Sequence, residues 1–370
     1  MLVDCSYIFD FIRTTYSNWS FNEKDGSVHT PIRYFIDITY RCNLRCPYCY
    51  LGQEEKQLKN ELSTEEWLDV VKQIPRFANI SIIGGEPLAK KGFLDVYHAA
   101  SERTPGRVNI YTNGLLLTEE LFADFIKNKL LLYSFSLDAW GENHDKSRCC
   151  PGAFDTLMEK TDMMMSMMKQ KHHKIMTDVK TILLPDNHED LLKLYEWCSK
   201  KGIDFFSITL LRNNQLRQFP ILRENFTEEF YKQQYPLELY FDMDSFEAVY
   251  KEMVKISKHS PTKLRWAPKF KPNMDGLKQI KYLFEHGHDD ITELYKPCVI
   301  PFCNLYINPE GDIYPCLAYK VGSVRENSLK EIINSPKYKC FRKNLKASKI
   351  FSACQLCCDA FPFPEHKKED

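Results

Sequence analysis

The strongest constraint on the fold is the alternation of strand-like and helix-like segments between residues 33 and 211. Stretches rich in β-branched and aromatic residues, which favour strands, recur at 33–40, 79–83, 108–112, 130–138, 178–184 and 204–211. Helices are predicted between them, with a Ser63–Glu66 capping box, an N-cap at Thr118 and a C-cap at Gly202. Six such alternations indicate an α/β fold built from parallel βαβ units.

Polar, glycine and cysteine residues collect where these strands end. In chain order they are Cys42, Cys46 and Cys49, then Gly84-Gly85-Glu86-Pro87, then Asn113, then Ser136 and Asp138, and finally Arg212. Parallel barrels keep their chemistry at the carboxyl ends of their strands. We therefore predict that these residues share one site.

The three cysteines after the first strand have the spacing of metal ligands. Their thiolates can bind three irons of a cubane cluster, whereas electron-transfer clusters usually take four cysteines. The next cysteine in the chain is Cys149, so one iron would stay open to bind a small molecule. Zinc is the alternative reading, but it would need a fourth cysteine or histidine close by.

This pattern resembles the radical SAM (S-adenosylmethionine) superfamily, which has Cys-x3-Cys-x2-Cys with an aromatic residue, here Tyr48, before the last cysteine. The resemblance implies a partial (βα)6 parallel barrel. It also implies a [4Fe–4S] cluster whose open iron chelates SAM. One electron from the cluster would cleave SAM to a 5′-deoxyadenosyl radical that takes a hydrogen atom from substrate.

The resemblance also assigns SAM contacts at the other strand ends. Gly84, Gly85, Glu86 and Pro87 match the family motif that binds the SAM amino group, where glycines allow close approach and Glu86 accepts from the ammonium. Asn113 matches the polar residue at the third strand end. Ser136, Asp138 and Arg148 match a segment in which Ser136 and Arg148 contact the SAM carboxylate or ribose. Arg212 is a weaker match of the same kind, and the resemblance also assigns Tyr48 in the cysteine loop as a SAM contact.

A second group of cysteines lies near the C-terminus. Cys298 and Cys316 flank a predicted hairpin with a Pro-Glu-Gly-Asp turn, and Cys354 and Cys357 form a Cys-x2-Cys pair. A hairpin followed by such a pair is also typical of a zinc ribbon, which is the alternative reading.

This order resembles the SPASM or twitch extension of the same superfamily. The resemblance implies one auxiliary [4Fe–4S] cluster ligated by Cys298, Cys316, Cys354 and Cys357. Cys303 could replace Cys298, Cys358 could replace Cys357, and Cys340 is a further reserve.

Composition excludes several classes of function. Lys and Arg number 50, as do Asp and Glu, so charge gives no reason to expect nucleic acid or a membrane as partner. No apolar run approaches the roughly 20 residues of a membrane helix, and the N-terminus has no signal-peptide pattern. Fourteen cysteines in such a chain indicate metal binding in a reducing compartment, so we expect a cytoplasmic protein.

Five segments are predicted. They are an N-terminal extension (1–32), the radical SAM partial barrel (33–212), a bridging segment (213–295), the auxiliary-cluster domain (296–360) and a tail (361–370). The bridging segment is interpreted as a packed connecting layer, and a part in shaping the substrate cavity is the alternative. The methionine run at 163–168 and Cys198 are interpreted as helix core.

Two hypotheses about the substrate stay open. One is a peptide or protein maturase that oxidises, cross-links or epimerises a residue, and the other is a small-molecule radical dehydrogenase or rearrangement enzyme acting on a sugar, an aminocyclitol or another natural product. About thirty residues precede the first strand, too few for an embedded recognition domain, which leaves room for a stand-alone recognition protein. The resemblance implies a flavodoxin- or ferredoxin-type reductant. A non-enzymatic iron–sulfur electron carrier is the remote alternative.

Overall fold

The computed structural model describes residues 15–16, 19–49, 51, 60–211, 237–286, 291–316 and 319–363. The strands are β1 (Arg33–Asp37), β2 (Asn79–Ile83), β3 (Val108–Thr112), β4 (Leu132–Ser136), β5 (Met176–Leu183), β6 (Phe205–Leu210), β7 (Lys263–Ala267), β8 (Asn304–Ile307), β9 (Asp312–Tyr314) and β10 (Gly322–Ser323). The helices are α1 (Thr64–Gln73), α2 (Phe93–Arg103), α3 (Glu119–Lys127), α4 (Glu142–Arg148), α5 (Ala153–Gln170), α6 (Asp190–Lys201), α7 (Met243–Ser257), α8 (Met274–His286), α9 (Ile291–Leu294), α10 (Leu329–Ile333) and α11 (Pro336–Ser348).

Within the described residues, ten strands form one sheet in the order β10-β9-β8-β1-β2-β3-β4-β5-β6-β7. Strands β1 to β6 are parallel and neighbour each other in chain order, with helices in the connections. The predicted α/β class with a parallel core is confirmed. The six predicted strands are present with small differences at their ends, because strand ends depend on hydrogen bonds to neighbours that a single segment does not reveal.

The sheet is larger than the six predicted strands. Lys263–Ala267, in the segment interpreted as a bridge, adds to β6 as a parallel seventh strand, with Leu264 and Trp266 buried on one face. At the opposite edge β8 of the C-terminal hairpin pairs with β1 in parallel. The C-terminal cysteine region therefore continues the barrel sheet directly.

Local signals place the helices correctly. The Ser63–Glu66 capping box has both of its bonds, with Ser63 N donating to Glu66 Oε2 (2.7 Å) and Glu66 N to Ser63 Oγ (3.2 Å). In α5, Met164 and Met168 are buried, and Cys198 in α6 is fully buried, as predicted. Such burial contributes about 1.5–3 kcal/mol for a large apolar side chain.

The segment after β10 contains two short helices rather than one continuous helix. α10 ends at Ile333 and α11 begins at Pro336, with Ser335 as its N-cap. Proline lacks the N–H that a continuing helix would need and is well suited to a first helical position.

The C-terminal hairpin forms as predicted. Tyr306 faces Tyr314 and Ile307 faces Ile313 in antiparallel register, while Asn308 Oδ1 accepts from Asp312 N (2.7 Å) in the turn. In the part of the chain that is described, no helix is long and apolar enough to cross a membrane.

The N-terminal extension packs on the C-terminal helices. Asn334 exchanges two hydrogen bonds with the backbone of Val28, each of 3.0 Å. The buried Arg342 guanidinium donates to Gly26 O (3.3 Å), Ile333 O (2.7 Å) and Pro301 O (2.9 Å). These long-range contacts join the two ends of the sequence.

Candidate functional site

The cysteine loop follows β1 directly. Cys46 is buried, and Cys42 and Cys49 are half-buried. Leu44 N lies 3.4 Å from Cys42 Sγ, and Cys49 N donates to Cys46 O (3.2 Å). Backbone contacts therefore shape the loop around its thiols.

The Gly-Gly-Glu-Pro turn after β2 packs against the backbone that leads into this loop. Gly85 N donates to Thr39 O (2.7 Å), and Glu86 N donates to Arg41 O (2.8 Å). A Cβ at Gly85 would lie 2.4 Å from Arg41 O, a distance that side-chain carbons do not adopt. Glycine is thus required here by the protein's own backbone, and close approach to SAM remains a prediction.

Glu86 is fully buried. Its Oε1 accepts from Thr112 Oγ1 (2.6 Å) and Leu88 N (3.0 Å), and its Oε2 accepts from Asn113 N (2.7 Å). Burial raises the pKa of this carboxyl, although the three donors oppose the shift. The side chain therefore ties β3 to the Gly-Gly-Glu-Pro turn, and its contact with the SAM ammonium stays a prediction.

Asn113 connects the third strand end to the cysteine loop. Its Nδ2 donates to Asn43 Oδ1 (2.7 Å), and Asn43 is the residue that follows Cys42. Ser136 is half-buried at the end of β4, with its Oγ 3.5 Å from Thr112 O. Both predicted SAM contacts thus lie at the same edge of the sheet as the loop.

Asp138, Tyr48 and Arg148 form a buried network behind the cysteines. Asp138 Oδ2 accepts from Tyr48 OH (2.5 Å) and pairs with Arg148 Nη2 (2.5 Å). Its Oδ1 accepts from Ile182 N (2.9 Å), and Asn187 Nδ2 donates to its backbone oxygen (2.7 Å). Burial, then the Asp138 charge, raise the pKa of Tyr48 above its usual range.

His144 on α4 completes this network. Its Nδ1 accepts from Asp138 N (3.2 Å). Burial, reinforced by the Arg148 charge, lowers the pKa of His144 to about 4. Sequence reasoning gave no role to His144, Asn43 or Asn187, since their partners lie on other elements and no local pattern marks them.

Arg148 also reaches the cysteine loop. Its Nη1 lies 3.8 Å from Cys46 Sγ, and its guanidinium carbon lies 5.6 Å from the centre of the Tyr48 ring. Arg148 Nε is buried and has no hydrogen-bond partner within the described residues. The predicted residues around the loop are therefore brought together, while Arg212 lies outside the described residues.

The four cysteines predicted to hold an auxiliary cluster lie near one another. Burial raises the pKa of the Cys298 thiol, and neighbouring Cys354 and Cys316 raise it further. Burial, then the nearby Cys357 and Cys354, likewise raise the pKa of Tyr295. Cys357 N donates to Cys354 O (3.0 Å), which fixes the Cys-x2-Cys turn.

The three reserve cysteines have other surroundings. Cys303 is buried, with its Sγ 3.4 Å from Asn304 Oδ1 and 3.6 Å from Ile300 O. Cys340 is exposed on α11. Cys358 adds to the raised pKa values of Lys180 and Tyr306, so it neighbours both strands β5 and β8.

The three cysteine thiols of the loop are the ligands that an iron–sulfur cluster takes. Within the described ranges, no group of three or more Cys, His, Asp and Glu side chains is arranged as a ready ion site. The unpartnered Nε of buried Arg148, beside Cys46, is a donor that an anionic group at the loop would satisfy.

Comparison with family models decides the identity. A model described as the radical SAM superfamily matches residues 36–220, half of the chain. The chain belongs to the radical SAM superfamily. A second model, the SPASM iron–sulfur cluster-binding domain, matches residues 298–359. This radical SAM enzyme therefore works with a [4Fe–4S] cluster and SAM, and its SPASM domain binds auxiliary iron–sulfur.

Characterised relatives span several activities. An Fe-coproporphyrin III synthase of Methanosarcina barkeri is 36% identical over 125 residues, so the alignment covers 33% of this chain and only 31% of that protein. A GTP 3′,8-cyclase of Clostridium perfringens is 23% identical, covering 82% of this chain and 88% of that one. The sporulation killing factor maturation protein SkfB of Bacillus subtilis is 25% identical, covering 86% and 69% respectively.

Solved structures share the fold. SuiB of Streptococcus suis bound to precursor peptide SuiA has a TM-score of 0.63 at 15% identity, covering 94% of this chain and 76% of SuiB. The enzyme anSMEcpe with bound AdoMet and a Cp18Cys peptide has a TM-score of 0.57 at 16% identity, covering 89% and 88%. At these identities the likeness concerns the fold alone.

Proposed function

We propose that this radical SAM enzyme is an oxidoreductase that modifies a peptide or protein, by oxidising, cross-linking or epimerising a residue after hydrogen abstraction. The observation that carries the proposal is the three-cysteine loop, which Glu86, Asn113 and Arg148 bracket from three other elements. An auxiliary [4Fe–4S] cluster at the SPASM cysteines would assist the oxidation.

In this proposal Cys42, Cys46 and Cys49 would hold a [4Fe–4S] cluster, which would supply the electron for reductive cleavage of SAM. The chain's own residues position and shield this chemistry. Glu86 braces the strand ends beside the loop, and the buried Tyr48–Asp138 pair keeps water from its inner side.

The substrate would bind in the barrel interior. Phe35 and Tyr306 stack with ring centres 4.4 Å apart, which joins β1 to the SPASM hairpin. On β5, Lys180 Nζ lies 5.7 Å from the centre of the Tyr111 ring of β3 and 4.0 Å from Asp178. Aromatic faces with a few placed charges are typical of a ligand site.

Support for a peptide substrate comes from the relatives. SkfB is named as a maturation protein, and SuiB and anSMEcpe have been solved with peptides bound. The alternative, a small-molecule enzyme, is favoured by the GTP 3′,8-cyclase, which aligns over most of both chains. A short precursor-peptide gene beside this one would favour maturation, and sugar or aminocyclitol genes would favour the alternative.

The experiment is anaerobic reconstitution followed by reduction in the presence of SAM. We expect about eight irons per chain, as two cubanes, and formation of 5′-deoxyadenosine. The triple variant Cys42→Ala, Cys46→Ala, Cys49→Ala should retain about four irons and form no 5′-deoxyadenosine, because its SAM cluster has no thiolates.

The matched control is Cys150→Ala. Cys150 packs against the same loop but lies outside the three-cysteine motif, so this variant should keep the iron content and SAM cleavage of the wild type. Continued 5′-deoxyadenosine formation by the triple variant would refute the site. Four irons plus one zinc in the wild type would refute the auxiliary cluster.

A further inference from the structure

The Arg148 side chain is clamped between a carboxylate and a thiol. Arg148 is the last residue of α4 and is 9% exposed. Its Nη2 pairs with Asp138 Oδ2 at 2.5 Å, its Nη1 lies 3.8 Å from Cys46 Sγ, and its own carbonyl oxygen lies 4.0 Å from the same sulfur. Both the side chain and the backbone of Arg148 therefore lie next to the Cys46 thiol.

The Arg148 guanidinium is held in place because its ion-pair partner, Asp138, is itself fixed by other contacts. Asp138 has no exposed surface, and it accepts from Ile182 N and Tyr48 OH in addition to its ion pair. The Tyr48 ring lies against the guanidinium, with 5.6 Å between the ring centre and the central carbon. A buried network with this many bonds holds its members in one arrangement.

The guanidinium is a permanent positive charge beside a cluster thiolate. Arginine does not lose its proton in proteins, and its charge is weakly screened in a buried site. The potential of an iron–sulfur cluster responds to hydrogen bonds to its sulfurs and to nearby charge. One-electron reduction makes the cluster more negative, so a fixed positive charge at Cys46 favours the reduced form.

We propose that Arg148, held by Asp138, raises the reduction potential of the SAM cluster through the Cys46 thiolate. The inference rests on the proposed function, since it needs a cluster at Cys42, Cys46 and Cys49. It gives Arg148 a role that is present before SAM binds. The role predicted from sequence, a contact with the SAM carboxylate or ribose, would act only after SAM binds.

The test is a redox titration of the anaerobically reconstituted full-length enzyme without SAM, followed by electron paramagnetic resonance. The SAM-cluster signal is identified as the one that changes when SAM is added to a parallel sample. For Arg148→Gln we expect a lower midpoint potential. A tenfold lower ratio of reduced to oxidised cluster at a given potential corresponds to a shift of about 59 mV for a one-electron couple.

Two further variants separate charge from structure. Arg148→Lys keeps the charge and should restore most of the wild-type potential. Arg45→Gln removes a positive charge from the same loop, where the exposed Arg45 donates to the carbonyls of Cys42 and Leu44, and should shift the potential less than Arg148→Gln does. If Arg148 had only a structural role, the reduction potentials of the three variants would not follow the presence of a positive charge and its distance from Cys46.

Other outcomes have definite meanings. A wild-type potential in Arg148→Gln, with only its SAM affinity reduced, overturns the proposal in favour of a SAM contact. If Arg148→Gln does not retain iron, Arg148→Met decides, because it keeps a long side chain beside Tyr48 but removes the charge; a lower potential supports the proposal and a wild-type potential overturns it. A wild type that holds no SAM-responsive cluster would instead defeat the proposed function itself.

Discussion

Glu86, Asp138, His144 and Arg148 are polar or charged residues, each less than a tenth exposed, and all belong to the network around the cysteine loop. Burial of such groups is costly unless each is paired. The carboxylates of Glu86 and Asp138 each accept three hydrogen bonds or ion-pair contacts. At the scale of single residues, stability around the site therefore depends on the pairing of these two carboxylates.

His144 should make stability depend on pH. Its pKa is lowered to about 4 in the folded protein, so between about pH 6.5 and about pH 4 the unfolded chain binds the extra proton. Stability from this residue is present above that window and is lost as pH falls through it, by on the order of 3 kcal/mol. Urea unfolding of the metal-free protein between pH 4 and 7 measures this loss.

The matched variant is His144→Asn, which can still accept from Asp138 N and does not titrate. Its free energy of unfolding should fall less steeply with decreasing pH than that of the wild type. Parallel curves for the two proteins would show that His144 is protonated equally in the folded and unfolded chains.

Glu86→Gln separates the charge of Glu86 from its role as an acceptor. If the carboxylate also meets the SAM ammonium, Glu86→Gln should weaken SAM binding by about 1.5–3 kcal/mol. It should lower the melting temperature less than Glu86→Ala does, because the amide keeps one oxygen acceptor while its NH2 group faces a backbone N–H. Glu86→Ala should lower both, because the N–H groups of Leu88 and Asn113 lose their acceptor. Isothermal titration with SAM and thermal unfolding of the same samples provide the two values. Unchanged SAM affinity in Glu86→Gln would mean that Glu86 only holds the turn and β3 together and does not contact SAM.

At the scale of secondary-structure elements, the turns that follow the strands position the site. The Gly-Gly-Glu-Pro turn lies against the backbone of residues 39–41, and this contact places β2 and β3 beside the cysteine loop. The sequence placed these turns correctly because each follows a strongly apolar strand. It did not reveal that Gly85 faces a neighbouring backbone, since that neighbour, residues 39–41, lies in the loop after β1.

Gly85→Ala should therefore disturb the loop. The added methyl would lie 2.4 Å from Arg41 O and 2.5 Å from Tyr40 O, so the turn must move away. Overpacking of this kind costs about 1–3 kcal/mol. We expect a lower melting temperature and less iron at the SAM cluster, measured by iron analysis and electron paramagnetic resonance.

The control for this variant is Gly106→Ala. A Cβ at Gly106 has no neighbour within 4 Å, although its positive φ of 67° carries the usual strain for alanine. It should lose some stability but keep its iron. Equal iron loss in both variants would mean that the close approach at Gly85 has no special role.

The whole molecule is held together by one continuous sheet. β8 pairs with β1, so the SPASM hairpin covers an edge that the barrel would otherwise expose. Residues Val28 and Gly26 of the N-terminal extension are bonded to α10 and α11 of the C-terminal region. We therefore expect the barrel and the SPASM region to unfold in a single transition.

Loss of the auxiliary cluster tests this arrangement. Cys354→Ala with Cys357→Ala should retain about four irons and still cleave SAM, because the SAM-cluster loop is untouched. Its thermal unfolding should stay a single transition at a lower temperature, measured by calorimetry. Two separate transitions would contradict joint unfolding of the barrel and the SPASM region. Loss of the SAM cluster in this variant would contradict independent assembly of the two clusters.

The sequence by itself determined the α/β class and the order of the first six strands, and it placed the three-cysteine loop after the first of them. The ligand role of the four C-terminal cysteines stays a prediction. The class, the strand order and the loop position depend on local patterns: strand composition, helix caps and ligand spacing are all readable within a few residues. The tertiary structure alone decided that β7 and β8 extend the sheet, that Glu86 is fully bonded within the protein, and that Arg148 lies against Cys46. Those contacts join residues that are distant in the chain, for which neither periodicity nor spacing carries a signal.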